Sequence, residues 1–165
     1  SVDAVHAFFA KRRIAFHRED IASLVGADGF FETFHSLIAR SRHDVVACVG
    51  CSLGGYWANR SAVLHLVAAA IVNPALKFYQ AHLKKYPSLA AYQHEAMYTE
   101  SNLAPRLVML GTADEVLDYR VAEAAFPAQE VSLVEGGSHA GYDFLDAFLQ
   151  AAWLTIKQAD FFGGK

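Results

Sequence analysis

The sequence predicts an α/β domain, with a mostly parallel central sheet covered by helices on both faces. Three observations predict it. Short apolar runs rich in Val, Ile, Leu and Ala recur along the 165-residue chain. Those runs are continuous rather than alternating, which suits strands buried on both faces. Segments of helical period fill the gaps between them, and strands alternating with helices imply a parallel sheet. A chain of this length suits one domain, residues 1–165. Hydrophobic residues make up 54% of it and charged ones 19%, which argues against disorder.

Taken in order, residues 2–10 read as a helix, with Val2, Val5, Phe8 and Phe9 on one side. Residues 13–17 are a short strand-like run. Residues 30–39 read as a helix through Phe30, Phe34, Leu37 and Ile38. Residues 44–51, with Val45-Val46-Ala47-Cys48-Val49, predict a buried strand, and 54–64 a helix after it. Residues 66–72 predict the next strand, ending at Asn73-Pro74. Residues 107–110 and 131–134 predict two more, each soon followed by glycine. Residues 119–126 and 142–156 predict helices. The last aligns Leu145, Phe148, Leu149, Trp153 and Ile156 on one apolar face.

Residues 75–105 break this rhythm. A structureless loop of that length is unusual in a compact domain, so a small helical insertion over the carboxyl edge of the sheet is expected. Tyr79, Tyr92, Met97 and Tyr98 are candidates for the apolar surface of a ligand pocket there. The same aromatics could equally serve only to pack the insertion onto the sheet.

Charge and composition exclude several classes of function. The net charge of −3 comes with no basic stripe, so no nucleic-acid partner is expected. The longest apolar stretches, such as residues 64–72, fall far short of the roughly 20 residues of a membrane span. Ser1 opens no basic-then-apolar leader. Two cysteines are too few for a disulfide framework, and a cytoplasmic location is expected.

Gly50-Cys51-Ser52-Leu53-Gly54 fits G-x-S-x-G between a predicted strand and a predicted helix, the context that this motif requires. Reversing from strand to helix within a few residues strains the serine and turns its hydroxyl outward. The Leu53 N–H at the helix start can then face a developing oxyanion. A dinucleotide fingerprint would need glycine where Ser52 stands, and a phosphate-binding loop would need lysine at Tyr56.

A serine hydroxyl needs a base, and the base an orienting acid. In α/β-hydrolases the chain order is serine, acid, histidine. Asp114, after the run 107–110, and His139, after the run 131–134, supply both in that order. Glu115 and Asp118 are rivals for the acid, although Asp118 is well explained as a helix N-cap. The other seven histidines are less well placed. Cys48-Val49-Gly50-Cys51 matches C-x-x-C, but its first cysteine lies inside a strand, which favours packing over redox chemistry. His94-Glu95-Ala96-Met97-Tyr98 has tyrosine where a zinc motif needs its second histidine. No metal and no cofactor are therefore expected.

Four segments together resemble the YqiA-like esterases: residues 49–56, residues 72–75, Gly111-Thr112-Ala113-Asp114-Glu115-Val116-Leu117-Asp118-Tyr119-Arg120, and Glu135-Gly136-Gly137-Ser138-His139. These are small bacterial α/β-hydrolase proteins without a large separate cap. The resemblance spans roughly residues 44–146. It implies an α/β-hydrolase-like three-layer sandwich and esterase activity on short acyl esters, acyl-CoA thioesters being the alternative. It also implies Ser52 as nucleophile, His139 as base and Asp114 as acid, in agreement with the residues' own reading.

Such proteins begin with a strand and a His-Gly loop that carries the second oxyanion donor, whereas this chain starts at the helix beyond them. The first strand is thus expected to be missing from the chain, between the strands at 13–17 and 45–49. Extra N-terminal residues, direct pairing of those two strands, or a partner chain could each fill the slot, the first being the expectation. The reading as a whole is a serine esterase taking a small acyl ester or thioester. A catalytically weak binding protein or fragment with the same fold is the alternative of a different class.

Overall fold

The computed structural model describes residues 2–18, 32, 36, 38–40, 46–77, 83–85, 87–92 and 96–159. Among the described residues four strands form one sheet: β1 (Ala47–Cys51), β2 (Ala68–Val72), β3 (Arg106–Gly111) and β4 (Val131–Val134). Their spatial order is β1-β2-β3-β4 and every pairing is parallel. Ala47 lies opposite Ala68, Ala70 opposite Leu107, and Val108 opposite Val131. Parallel neighbours need crossover connections: an α-helix lies between β1 and β2 and another between β3 and β4, and the described part of the β2–β3 crossover holds a 3-10 helix, Pro87–Tyr92. Four α-helices are described from end to end, α1 (Val2–Ala10), α2 (Leu53–His65), α3 (Tyr119–Ala125) and α4 (Leu145–Lys157).

The pleat sorts the core into two halves, because successive strand residues point to opposite faces. Cys48, Ala69, Ile71, Val108 and Leu110 pack with Tyr56, Trp57, Ala58 and Ala62 of α2 and Ala122 of α3. Ala70, Val72 and Met109 pack on the other side with Phe9 of α1 and Phe148, Leu149, Ala152 and Ile156 of α4. The result is three layers, helix–sheet–helix, as the continuous apolar runs predict. All five residues of β2 are buried, as expected of a central strand.

Boundaries moved where local geometry intervened. Leu66 takes a left-handed conformation (φ 57°) as the C-cap of α2, and Val67 N–H returns to the Ala62 carbonyl, so β2 starts only at Ala68. Residues 142–144 form a single 3-10 turn before α4. The expected helix at 30–39 falls mostly outside the described residues, and those of it that are described, 32, 36, 38 and 39, are helical. The first residues of the expected strand at 44–51, up to Val45, fall outside them too.

The strand expected at 13–17 does not form. Arg13 (φ 61°) turns the chain back after α1, and Ile14 N–H bonds to the Phe9 carbonyl. Ile14 and Phe16 then pack into the α1–α4 half of the core instead of joining a ladder, with the Phe16 ring stacked on Phe9 at 6.2 Å. Among the described residues β1 pairs with β2 alone, so the two strands expected to flank a vacant slot do not pair with each other. A short run that joins no ladder gains little from being extended, and burial of its side chains decides its path.

Ile71 lies fully buried in the middle of β2. Ile71→Ala should cost about 2–5 kcal/mol of folding stability, the range for emptying a packed aliphatic site. Urea denaturation followed by circular dichroism checks this, and a loss well below that range would show that the sheet collapses around the vacancy.

Candidate active site

Ser52 follows β1 directly and holds φ 56° and ψ −125°, a region costly for any residue with a Cβ. Such a conformation costs about 1–3 kcal/mol and persists only where its surroundings over-determine it. Here Ser52 N–H donates to the Val72 carbonyl at 3.0 Å. The Ser52 carbonyl accepts from Tyr56 N–H at 3.1 Å and Ala75 N–H at 2.9 Å. The elbow also needs Gly50, since a Cβ there would stand 2.2 Å from the Gly54 carbonyl oxygen. The expected tight strand-to-helix reversal is thus present, and its glycine requirement at position 50 has a named steric cause.

His139 Nε2 lies 2.9 Å from Ser52 Oγ. On the other side of the ring, Nδ1 lies 3.0 and 2.9 Å from the two carboxylate oxygens of Asp114. The Asp114 side chain is 1% exposed and that of His139 15%. Val116 N–H and Leu117 N–H both donate to Asp114 Oδ1 at 2.8 Å, fixing the carboxylate against the ring. The rivals for the acid do other things. Glu115 accepts from the backbone N–H of His139 at 3.0 Å, and Asp118 caps α3 by accepting from Arg120 N–H. Serine, histidine and aspartate, three residues from three separate loops, therefore form one hydrogen-bonded chain.

That convergence has a geometric cost. Ser52 lies just past β1 and His139 five residues past β4, at opposite sides of the four described strands. Three strand spacings separate those sides, about 14 Å. Five extended residues reach at most about 16–18 Å, so the His139 loop has little slack. It crosses the strand ends one by one. Over β3 it passes so closely that a Cβ on Gly111 would stand 2.3 Å from the Gly137 carbonyl oxygen. Over β2 the Ser138 and His139 carbonyls accept from the side-chain amide of Asn73. At β1 the Cys51 thiol points at the His139 carbonyl, 3.6 Å away.

Asn73 and Asp143 are the residues that sequence reasoning missed. The sequence marks Asn73 as the end of a strand and as part of the segment 72–75 that carries the resemblance, without a role of its own. Its position at the carboxyl end of β2, between the strands that carry Ser52 and Asp114, is the signal that could have flagged it. Asp143 holds the loop from beyond the histidine, accepting from Ser138 N–H at 2.9 Å and Ser138 Oγ at 2.8 Å.

The insertion returns along α2. Tyr56 Oη donates to the Ala96 carbonyl, and Trp57 Nε1 donates to Tyr92 Oη at 2.8 Å. Asn59 Nδ2 donates to the Met97 and Tyr98 carbonyls. Tyr92 and Met97 pack against the α2–α3 half of the core, and the Tyr98 ring lies beside the Arg60 guanidinium. Tyr79 lies outside the described residues. Leu53 opens α2, where first-turn N–H groups have no partner within the helix.

Both cysteines are free thiols. Burial pushes Cys48 up to about 12. Burial, and then the charge of Asp114, push Cys51 up to about 11. Neither carries thiolate character near neutrality, which agrees with a packing role for the C-x-x-C match. Among the described residues no group of three or more His, Cys, Asp and Glu is arranged to hold a metal ion. No helix among them is long and apolar enough to cross a membrane.

The two bonds from Ser138 lower the Asp143 pKa below its ordinary value. A carboxylate lowered in the folded state stabilises the fold above its unfolded pKa, and that contribution is lost as pH falls through the folded value. Asp143→Asn should therefore lower the urea midpoint at pH 7, and the gap from wild type should close at pH 3 or below. Melts at both pH values test this, and a gap independent of pH would exclude the charge.

A family model described as Uncharacterised protein family (UPF0227) matches residues 4–155, nearly the whole chain. Its span includes the Ser52 elbow, Asn73, Asp114 and His139, as well as the insertion. A parallel sheet between two helical layers accompanies that match, and membership is consistent with an esterase-like hydrolase. The chain thus belongs to UPF0227, the YqiA-like esterase family.

Proposed function

We propose that the protein is a serine esterase that hydrolyses short acyl esters through an acyl-enzyme. One observation carries the reading: the unbroken chain from Ser52 Oγ through His139 to a buried Asp114, with donor–acceptor distances of 2.9 to 3.0 Å. Hydrogen-bond contact between nucleophile, base and orienting acid is the arrangement that activates a hydroxyl.

In the proposed reaction His139 Nε2 takes the Ser52 proton as Oγ attacks the ester carbonyl. The Leu53 N–H, at the start of α2, faces the resulting oxyanion. The tetrahedral species collapses, its C–O bond to the alcohol breaks, and the imidazolium returns its proton to the departing alkoxide. Water then attacks the acyl-Ser52 carbonyl while His139 takes its proton. The second collapse releases the carboxylic acid and restores the Ser52 hydroxyl. Asp114 stays ionised throughout, holding the Nδ1–H tautomer and balancing the transient imidazolium.

For the acyl group we propose the returning arm of the insertion, with Met97 and Tyr98 beside it and Tyr92 bracing it through Trp57. Tyr79 is proposed with them on its place in the sequence alone. The bond from Tyr56, in the first turn of α2, to the Ala96 carbonyl supports the assignment for the part of the arm before Met97, while Tyr98, whose carbonyl accepts from Arg106 at the start of β3, lies toward the other end of the sheet.

Ser52→Ala and His139→Ala should each lower turnover on a short aryl ester roughly 10⁴-fold or more, because the members act as a unit. Asp114→Asn should fall by about 10⁴ through the wrong tautomer. A fluorophosphonate should label Ser52 in the wild type and not in His139→Ala. Ester hydrolysis by Ser52→Ala near the wild-type rate would overturn the assignment.

Alanine at Tyr92, Met97 or Tyr98 should shift the preferred acyl length upward. Initial rates across a series of ester chain lengths read this directly. Unchanged preference in folded variants would leave the arm a purely structural element.

A further inference from the structure

Asn73 is the residue on which the His139 loop rests. It is 3% exposed and lies at the carboxyl end of β2, between the ends of β1 and β3. Its φ of 42° is left-handed, a conformation in which asparagine is enriched among non-glycine residues. Its backbone N–H still continues the sheet by donating to the Met109 carbonyl at 3.0 Å. Every polar atom of its side chain is used. Nδ2 donates to the Ser138 carbonyl at 3.0 Å and to the His139 carbonyl at 2.8 Å. Oδ1 accepts from Gly111 N–H at 2.8 Å.

Each of those bonds touches a different part of the site. Gly111 ends β3, and its carbonyl accepts from Asp114 N–H at the start of the acid's turn. Ser138 and His139 are the loop that must reach across the sheet. Pro74 and Ala75 follow Asn73, and Ala75 N–H braces the Ser52 carbonyl. One amide group therefore touches both the acid's loop and the base's loop, while its own backbone leads into a bond to the nucleophile.

We propose that Asn73 is a positioning residue, whose buried amide sets the height of the His139 loop above the sheet so that the imidazole stands between Ser52 and Asp114. The proposal rests on the hydrolase reading for its effect on turnover, but its geometric content is independent of it. Two N–H donors and one acceptor, in one plane, are what the three backbone groups require. A carboxylate of the same shape keeps the bond to Gly111 N–H and sets a negative oxygen against two carbonyl oxygens. Those carbonyls favour the protonated acid, which restores one donor.

Asn73→Asp is therefore the informative variant and Asn73→Ala its reference. Near-ultraviolet circular dichroism and thermal melting establish that each is folded. In a folded Asn73→Asp protein kcat should fall about 10²-fold, the scale set by a misplacement of about 1 Å, while KM stays within about twofold. Fluorophosphonate labelling of Ser52 should slow in proportion. The activity of Asn73→Asp relative to Asn73→Ala should be highest at acidic pH and decline as the introduced carboxyl ionises. A purely structural role would not produce that profile.

Proton NMR gives a readout that needs no turnover. The wild type should show a protected, low-field Nδ1–H resonance of His139 bonded to Asp114, and Asn73→Asp should lose it at neutral pH. Folded variants that keep this resonance and wild-type kcat overturn the proposal. So does a failure of both variants to fold, which would make the residue a structural requirement only. A wild type that hydrolyses no ester, yet shows the resonance and loses it in Asn73→Asp, would overturn the hydrolase reading and leave the positioning role standing.

Discussion

A loop of limited length must carry a histidine from one side of the four described parallel strands to the other, and the rest of the site is built around that crossing. β4 delivers the chain about 14 Å from the strand that carries Ser52. The loop therefore has to lie flat on the strand ends. Flatness explains the absence of a side chain at Gly111, where the loop backbone passes within van der Waals reach of the β3 terminus. It also explains why polar groups stud the path. Backbone carbonyls pressed against a buried surface need donors, and an unsatisfied one costs about 1–3 kcal/mol. Asn73 satisfies two of them, while Asp143 and Glu115 take the N–H groups of Ser138 and His139.

The opposite end of the sheet solves a different problem with similar chemistry. Arg106 begins β3, and its side chain is fully buried. Its guanidinium is paired with Glu130 Oε2 at 2.6 Å and also donates to Asn59 Oδ1 and to the Tyr98, Thr99 and Glu100 carbonyls. A buried charge is tolerable only when it is paired and its donors are matched. Here the matching fastens the end of the 75–105 insertion to α2 and to the start of β3. The insertion is thus anchored from beneath by Arg106 and Asn59, and along its flank by the Trp57–Tyr92 bond. The strand that ends beside Asp114 begins by pinning the arm above α2, so one rigid element references both.

Strain and rigidity are matched at the elbow. Ser52 sits in a costly backbone conformation, and three hydrogen bonds from β2, its following turn and α2 hold it there. The neighbouring Cys51 thiol is kept protonated by burial and by the Asp114 charge, so the more nucleophilic atom beside the serine stays silent. An anionic acid therefore does two things at once: it orients the imidazole and disfavours a competing thiolate.

The sequence by itself determined the layers, the strand positions and the order of Ser52, Asp114 and His139. Each of these is written in local pattern: continuous apolar runs, helical periodicity, glycines beside a serine, and polar residues just after strands. It did not determine the path of residues 13–17, because pairing requires a neighbour that local pattern cannot supply. It left Asp114 and Glu115 as adjacent rivals, since their separation into ring partner and backbone partner depends on which way each carboxylate faces. It assigned no role to Asn73, whose partners lie on other loops, or to Asp143, which meets Ser138 only when the segment after β4 turns back on itself. Tertiary structure alone decided these points. They depend on distances between segments far apart in sequence, and on matching buried backbone groups to side chains whose types, taken singly, are common.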